Sequence, residues 1–461
     1  MNALLPVFLT AYDPAELPGG TVDPLGFTAG YLVLADLLLP GMTAAAAQAT
    51  YLPMLCAGLA IADESGSKGL AAATARKHRI EIGLRFERLW ALAAALQVPA
   101  QDPDETAENQ ERADSKVAGL RGITYVAREA ERLTRAGVKD AGSEFALLAQ
   151  QYRYGAFGIY GGVAEQLHLL DKSTFAATAG FGAAIGQSFL ETTTDGNQRK
   201  ELVAACRDKS ATLRLSTLKA WGSRAYPGAP LGGDARKLLG EAAVQNPERA
   251  RMLLLVERVT QASGTDSLFA SCAQQAKEAD DSELFSALQT AVAYDDFLRH
   301  FTLIFERVLW LCRAMNDAEQ TATVFRDPVV VEACGGLAAV ASNLLAKSER
   351  LFSHGRHGLL SRGRGILEIA KQAQAVTDVP SIVRMVLKRH AEIQRGKFEQ
   401  GRPKQAWIEE RGPEFALTST RIGTRSREPE TPNDVRGPDW RFGAAVSLLT
   451  VTGRLAPKVA T

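Results

Sequence analysis

Residues 145–190 read FALLAQQYRYGAFGIYGGVAEQLHLLDKSTFAATAGFGAAIGQSFL, and this stretch decides the fold expected of the chain. Phe145, Leu147 and Leu148 open an apolar helix that runs into Gln151-Tyr152-Arg153-Tyr154-Gly155. Tyr160, Val163, Ala164, Leu167 and Leu170 recur at helical spacing and predict a second helix. Asp171-Lys172-Ser173-Thr174-Phe175 reads as a tight turn into a short strand. Thr178 is placed to cap a last helix that ends in Phe189 and Leu190.

Helix, turn, helix, short strand, helix is the order of a winged-helix module, and a plain three-helix bundle is the alternative. A small winged helix docks on nucleic acid or on another protein rather than on a metabolite. Its exposed residues would be Arg153, Tyr154, Gln166, His168 and Lys172. That surface is only mildly polar, which favours a docking wing over direct base readout.

The rest of the chain reads as helices. Tyr31 to Leu39 is a buried helix stopped by Pro40-Gly41, and Thr43 is placed to cap another through Leu55 and Leu59. From Arg79 to Gln97, Ile82, Phe86, Leu89 and Leu96 share one face and Glu81, Arg85 and Arg88 the other. Helices over about 125–136 and 143–154 lead into the module, and the polar run Thr192 to Asn197 closes it. Ala225 to Asp234 is a linker, after which 236–346 is a run of helices. The clearest of these carries Phe297, Phe301, Ile304, Phe305 and Val308 as its stripe. Apart from the wing, only Phe415 to Ile422 alternates like a strand.

The expected fold class is therefore mainly α: a multi-domain helical protein with an embedded winged-helix-like module and few short strands. At 461 residues the chain is too long for one core. The expected domains are an N-terminal helical domain (1–139), the winged-helix-like module (140–192), a helical domain (193–339) and a basic C-terminal helical region with a tail (340–461).

Hydrophobic content of 46% and charged content of 23% are ordinary for a soluble globular protein. The N-terminus shows no positive n-region, and Asp36 and Pro40-Gly41 interrupt the apolar run from Phe27 to Ala62. A cytoplasmic protein without a membrane partner is expected. Cys56, Cys206, Cys272, Cys312 and Cys334 are scattered without zinc spacing and read as small core residues of a reducing compartment.

No P-loop, nucleophile elbow or H-E-x-x-H motif occurs. Glu165-Gln166-Leu167-His168 has E-x-x-H spacing, but di-metal bundles need two such motifs. Asp295 and Asp296 with His300 read as a helix start with capping carboxylates. Glu368-Ile369-Ala370-Lys371 matches the tail of a nuclease motif, yet no acidic strand precedes it, so an i,i+3 surface pair is preferred. No cofactor, metal or catalytic residue is expected, and the protein reads as a non-enzyme.

The stronger signal is charge. Residues 1–339 hold 32 Lys/Arg against 40 Asp/Glu, whereas residues 340–461 hold 21 against 12. His354-Gly355-Arg356-His357-Gly358 and Ser361-Arg362-Gly363-Arg364-Gly365 set cations among glycines, as a phosphate-contacting loop or a flexible turn would. Arg384, Lys388 and Arg395 form a helical stripe opposite Ile382, Val386 and Ile393. It continues into Lys397, Arg402, Lys404 and Arg411 around Trp407, then into Arg421, Arg425 and Arg427. Cations interleaved with an aromatic suit backbone tracking along DNA or RNA, salt-sensitive and indifferent to sequence. The expected nucleic-acid-binding set is Arg356, Arg362, Arg364, Arg384, Lys388, Arg395, Lys397, Arg402, Lys404 and Trp407.

Three segments carry a resemblance. The first is Asp23-Pro24-Leu25-Gly26 with Leu37 to Thr43 and Tyr51 to Leu55; the second is Tyr154 to Gly180. The third is Arg389-His390-Ala391-Glu392-Ile393-Gln394 with Lys397 and Lys404 to Glu409. Together they resemble helical proteins found near bacterial anti-phage defence genes. The resemblance covers about half the chain and implies a DNA-engaging or scaffolding subunit of a multi-protein defence complex, with no catalytic residues to carry over.

The leading expectation is a non-enzymatic nucleic-acid-binding or adaptor subunit of such a complex. The alternatives are a protein-interaction scaffold, its basic quarter docked on an acidic partner or on the acidic segment 98–116, and a metal-dependent nuclease effector.

Overall fold

The computed structural model describes residues 23–97, 120–227, 229–263, 268–279, 281–315, 317–353, 358–399, 402–418, 428–435, 437–438 and 440–456. The chain is mainly helical with few short strands, and it divides into two units built from interleaved segments. The first comprises Met1–Val7, Leu39–Gly264 and Arg441–Thr461; the second comprises Phe8–Leu38 and Thr265–Trp440. The domain boundary expected after residue 339 falls inside the helix Pro328–Ser353.

The first unit is organised around the helix Tyr51–Glu64, which is buried on nearly every side from Tyr51 to Ala62. A helix apolar all round belongs in a core. It packs against Ala72–Ala95 and Phe181–Thr193. At the second crossing Gly186 is required, because a Cβ there would stand 2.4 Å from the Cys56 carbonyl oxygen. Thr43 caps nothing: a short 3₁₀ turn follows it, and the helix begins eight residues later at Tyr51. From Ala72–Ala95, Ile82, Phe86 and Leu89 enter the core as expected, and Trp90 joins them. Arg85 departs from the outer face assigned to it. It is buried, donates from Nη1 to the carbonyls of Cys206 (2.7 Å) and Arg207 (3.1 Å), and pairs with Glu144 at 3.3 Å.

Within 145–190 the elements are a single turn Gln151–Tyr154, the helix Ala156–Gln166, a two-residue hairpin (Leu170–Asp171 with Ala176–Ala177) and the helix Phe181–Thr193. The first helix expected over 143–154 is thus one turn long. Gln151 explains why. Its side chain is buried, with Nε2 donating to Glu87 (2.9 Å) and to the Leu84 carbonyl (3.0 Å) and Oε1 accepting from Arg88 (2.7 Å). These tertiary bonds, rather than an i→i+4 ladder, hold the segment. The turn 171–175 is as expected: the Asp171 carboxylate accepts from the Ser173 N–H and from both hydroxyls of Ser173 and Thr174.

The second unit has the 33-residue helix Ser282–Ala314 as its spine, with Phe297, Phe301, Ile304, Phe305 and Val308 all buried. Asp281 caps it, so Asp295 and Asp296 sit mid-helix instead of at its start. Asp295 pairs with Arg299 at 2.6 Å. The spine packs against Pro328–Ser353, whose Val330, Ala333, Cys334, Leu337, Ala341, Leu344, Ser348 and Leu351 form the buried stripe. Between Pro328 and Glu349 this helix is long and apolar enough to cross a membrane by length and composition, with one face buried in the fold. A three-stranded antiparallel sheet, ordered Ala318–Gln320, Glu414–Leu417, Ile408–Arg411, closes one end of the spine. The strand expected over 415–422 is confined to Glu414–Leu417 among the described residues.

Candidate nucleic-acid interface

The expected interface centres on the helix Val379–Arg395, which Asp378 caps through the Ser381 N–H at 2.8 Å. Ile382, Val383, Val386 and Leu387 are buried, and Ser381, Arg384, Lys388, Glu392 and Arg395 line the exposed face. Amphipathic spacing alone places these cations outward. Arg384 grips Glu410 with two nitrogens, Nε at 3.0 Å and Nη2 at 2.8 Å, and its guanidinium stacks over Phe325 at 5.3 Å. Arg411 pairs with Glu409 at 3.3 Å. Lys388, Arg395 and Arg402 are exposed and take part in no ion pair among the described residues.

The inner face of the same helix holds the loop that precedes Thr28–Leu38. Asp23 folds this loop by accepting the N–H groups of Gly26 (2.7 Å), Phe27 (3.0 Å) and Thr28 (2.8 Å). The carbonyls left pointing outward are then collected. Arg389 Nε donates to Leu25 O at 3.0 Å, His390 Nδ1 to Pro24 O at 2.9 Å, and the Lys397 ammonium to Asp23 O. Gly26 needs its left-handed φ of +75°, and a Cβ there would collide with Ile393. Burial depresses the basicity of Lys397 and of Arg389. Lys397 is therefore a structural clamp rather than an exposed phosphate ligand.

Trp407 is half-buried. Its ring lies 6.0 Å from Phe305 and 5.1 Å from His390, and its backbone N–H donates to His390 Nε2. Lys404 is partly buried and engaged within the fold. Arg362 and Arg364 fall in the helix Gly358–Ala375, which corrects the glycine-rich loop expected there. Ile366, Ile369, Ala370 and Ala373 supply a buried helical stripe strong enough to carry Gly363 and Gly365 into the helix. Helical N–H groups bond along the helix, so a backbone cradle for an anion is not formed there. The side chains of Arg362 and Arg364 lie outside the described residues, as do Arg356, Arg421, Arg425, Arg427 and the acidic segment 98–116.

Folding also redistributes charge. The segments of the first unit carry 30 Lys/Arg and 24 Asp/Glu; those of the second carry 23 and 28. The basic residues 340–440 thus share a unit with acidic segments far away in sequence.

Among the described residues the chemical alternatives receive no assembled site. Among the described residues no group of three or more His, Cys, Asp or Glu is placed to hold a metal ion. His168 lies beyond its helix with φ of 58°, so Glu165 and His168 do not share a helix face. Lys371 and Glu368 form an exposed i,i+3 pair at 3.1 Å. All five cysteines are buried and free.

One polar cluster escaped sequence reasoning. Glu87 is buried in the first unit, where it accepts the Ala156 N–H (2.8 Å) and Gln151 Nε2, beside the stacked rings of Tyr51 and Tyr160 at 4.6 Å. Burial raises its carboxyl to about 7. Glu87 lies out of phase with both the apolar stripe and the polar face expected of this helix, so nothing in the local spacing marked it as interior. No family model, curated protein or solved structure matches this chain.

Proposed function

We propose that the chain is a non-enzymatic adaptor subunit that contacts the phosphate backbone of nucleic acid, in a multi-protein bacterial defence complex of the kind its resemblance implies. The observation that carries this reading is the exposed trio Lys388, Arg395 and Arg402. Lys388 and Arg395 lie two helical turns apart on one face, about 10 Å along the axis, roughly three phosphate steps of one duplex strand. Three contacts supply non-specific affinity on the order of 10⁻⁴–10⁻⁶ M, so partner subunits would add the rest. The scaffold reading draws support from Arg384 and Lys397, whose charge is spent inside the fold.

The test is duplex binding by the full chain at two salt concentrations, beside a Lys388→Glu/Arg395→Glu/Arg402→Glu variant. Salt-dependent affinity that the triple variant abolishes supports phosphate contact. Salt-independent binding, or an unaffected variant, leaves the scaffold.

A further inference from the structure

We propose that Tyr152 in the first unit is a stacking platform for a base of single-stranded nucleic acid, with Arg76 and Lys172 taking the flanking phosphates. The inference rests on the nucleic-acid reading above and adds a site in the other unit. Tyr152 is 46% exposed, yet its position is fixed from below. The preceding Gln151 is buried in the network with Glu87, and the Tyr152 ring lies 6.2 Å from Phe175. Phe175 is buried against Phe157 at 5.4 Å and held at φ of 50°, a conformation costly for an aromatic residue. The Arg76 guanidinium stands over the Phe175 ring at 4.9 Å.

The hairpin turn is equally fixed. Asp171 spends its carboxylate on Ser173 and Thr174, while Arg79 donates to the Thr174 carbonyl. Lys172 is left exposed at the tip. A rigid exposed ring loses little entropy when a base stacks on it, and neighbouring cations suit the phosphates on either side. Arg76 and Lys172 outweigh the engaged Asp171, within a unit whose segments carry an excess of Lys/Arg. A polyanion with flat apolar faces matches both properties.

The experiment measures binding of the full chain to a fluorescein-labelled 20-mer of deoxythymidine and to a 20-base-pair duplex. Tyr152→Ala is expected to weaken the 20-mer about tenfold and leave the duplex unchanged, with Tyr152→Phe retaining wild-type affinity. Equal 20-mer affinity of wild type and Tyr152→Ala overturns the platform. If the Lys388/Arg395/Arg402 variant still loses duplex binding in that case, the proposed function stands without it. Wild-type protein that binds neither probe overturns both.

Discussion

Trp407 donates its backbone N–H to Nε2 of His390 at 2.8 Å, and this bond decides which imidazole tautomer the protein contains. Nε2 must be the unprotonated nitrogen, so Nδ1 carries the hydrogen it gives to the Pro24 carbonyl. One buried ring thereby ties together the loop before the first described helix, the Val379–Arg395 helix and the segment leading into Ile408–Arg411. Residues 23–26, 389–394 and 404–409, far apart in sequence, are thereby brought into contact.

Burial lowers the His390 pKa to about 4. A histidine depressed in the folded state contributes stability above its unfolded value of about 6.5, and that stability is lost as pH falls towards 4. The expected loss across this window is on the order of 3 kcal/mol. Nitrogen-15 spectra should show a neutral Nδ1–H ring at pH 6; a charged imidazolium there would refute the assignment.

Asp23 caps the loop with three N–H bonds. Replacing it with Ala should destabilise the second unit by about 1–2 kcal/mol, read as a lower thermal midpoint. An unchanged midpoint would mean the cationic clamp holds the loop alone.

Glu87 behaves in the opposite sense to His390. Its folded pKa of about 7 exceeds the usual carboxyl value, so its stabilisation is complete below about 4.5 and disappears as pH rises through 7. Glu87→Gln should flatten the fall in stability between pH 4.5 and 7, measured by urea unfolding. A variant that keeps the wild-type slope would assign the effect elsewhere.

Three phosphate contacts imply a logarithmic salt slope of about −2.7 for duplex binding. Changing Lys388 alone to Ala should reduce that slope by about 0.9, without sequence preference. A slope that stays constant would remove Lys388 from the contact set.

Periodicity made much of this architecture legible. The Phe297–Val308 stripe, the helix before Pro40 and the turn at Asp171–Phe175 follow from local spacing and side-chain-to-backbone bonds, which the sequence contains in full. Tertiary partners decided the rest. Gln151 is anchored by Glu87 and Arg88 in a helix of a single turn, Arg85 enters the core because two carbonyls and Glu144 await it, and Lys397 leaves the cationic stripe to bind a loop more than 370 residues away. Helix phase says which side a residue occupies. Whether that side meets water, a carboxylate or an orphan carbonyl depends on chain segments that only folding brings near.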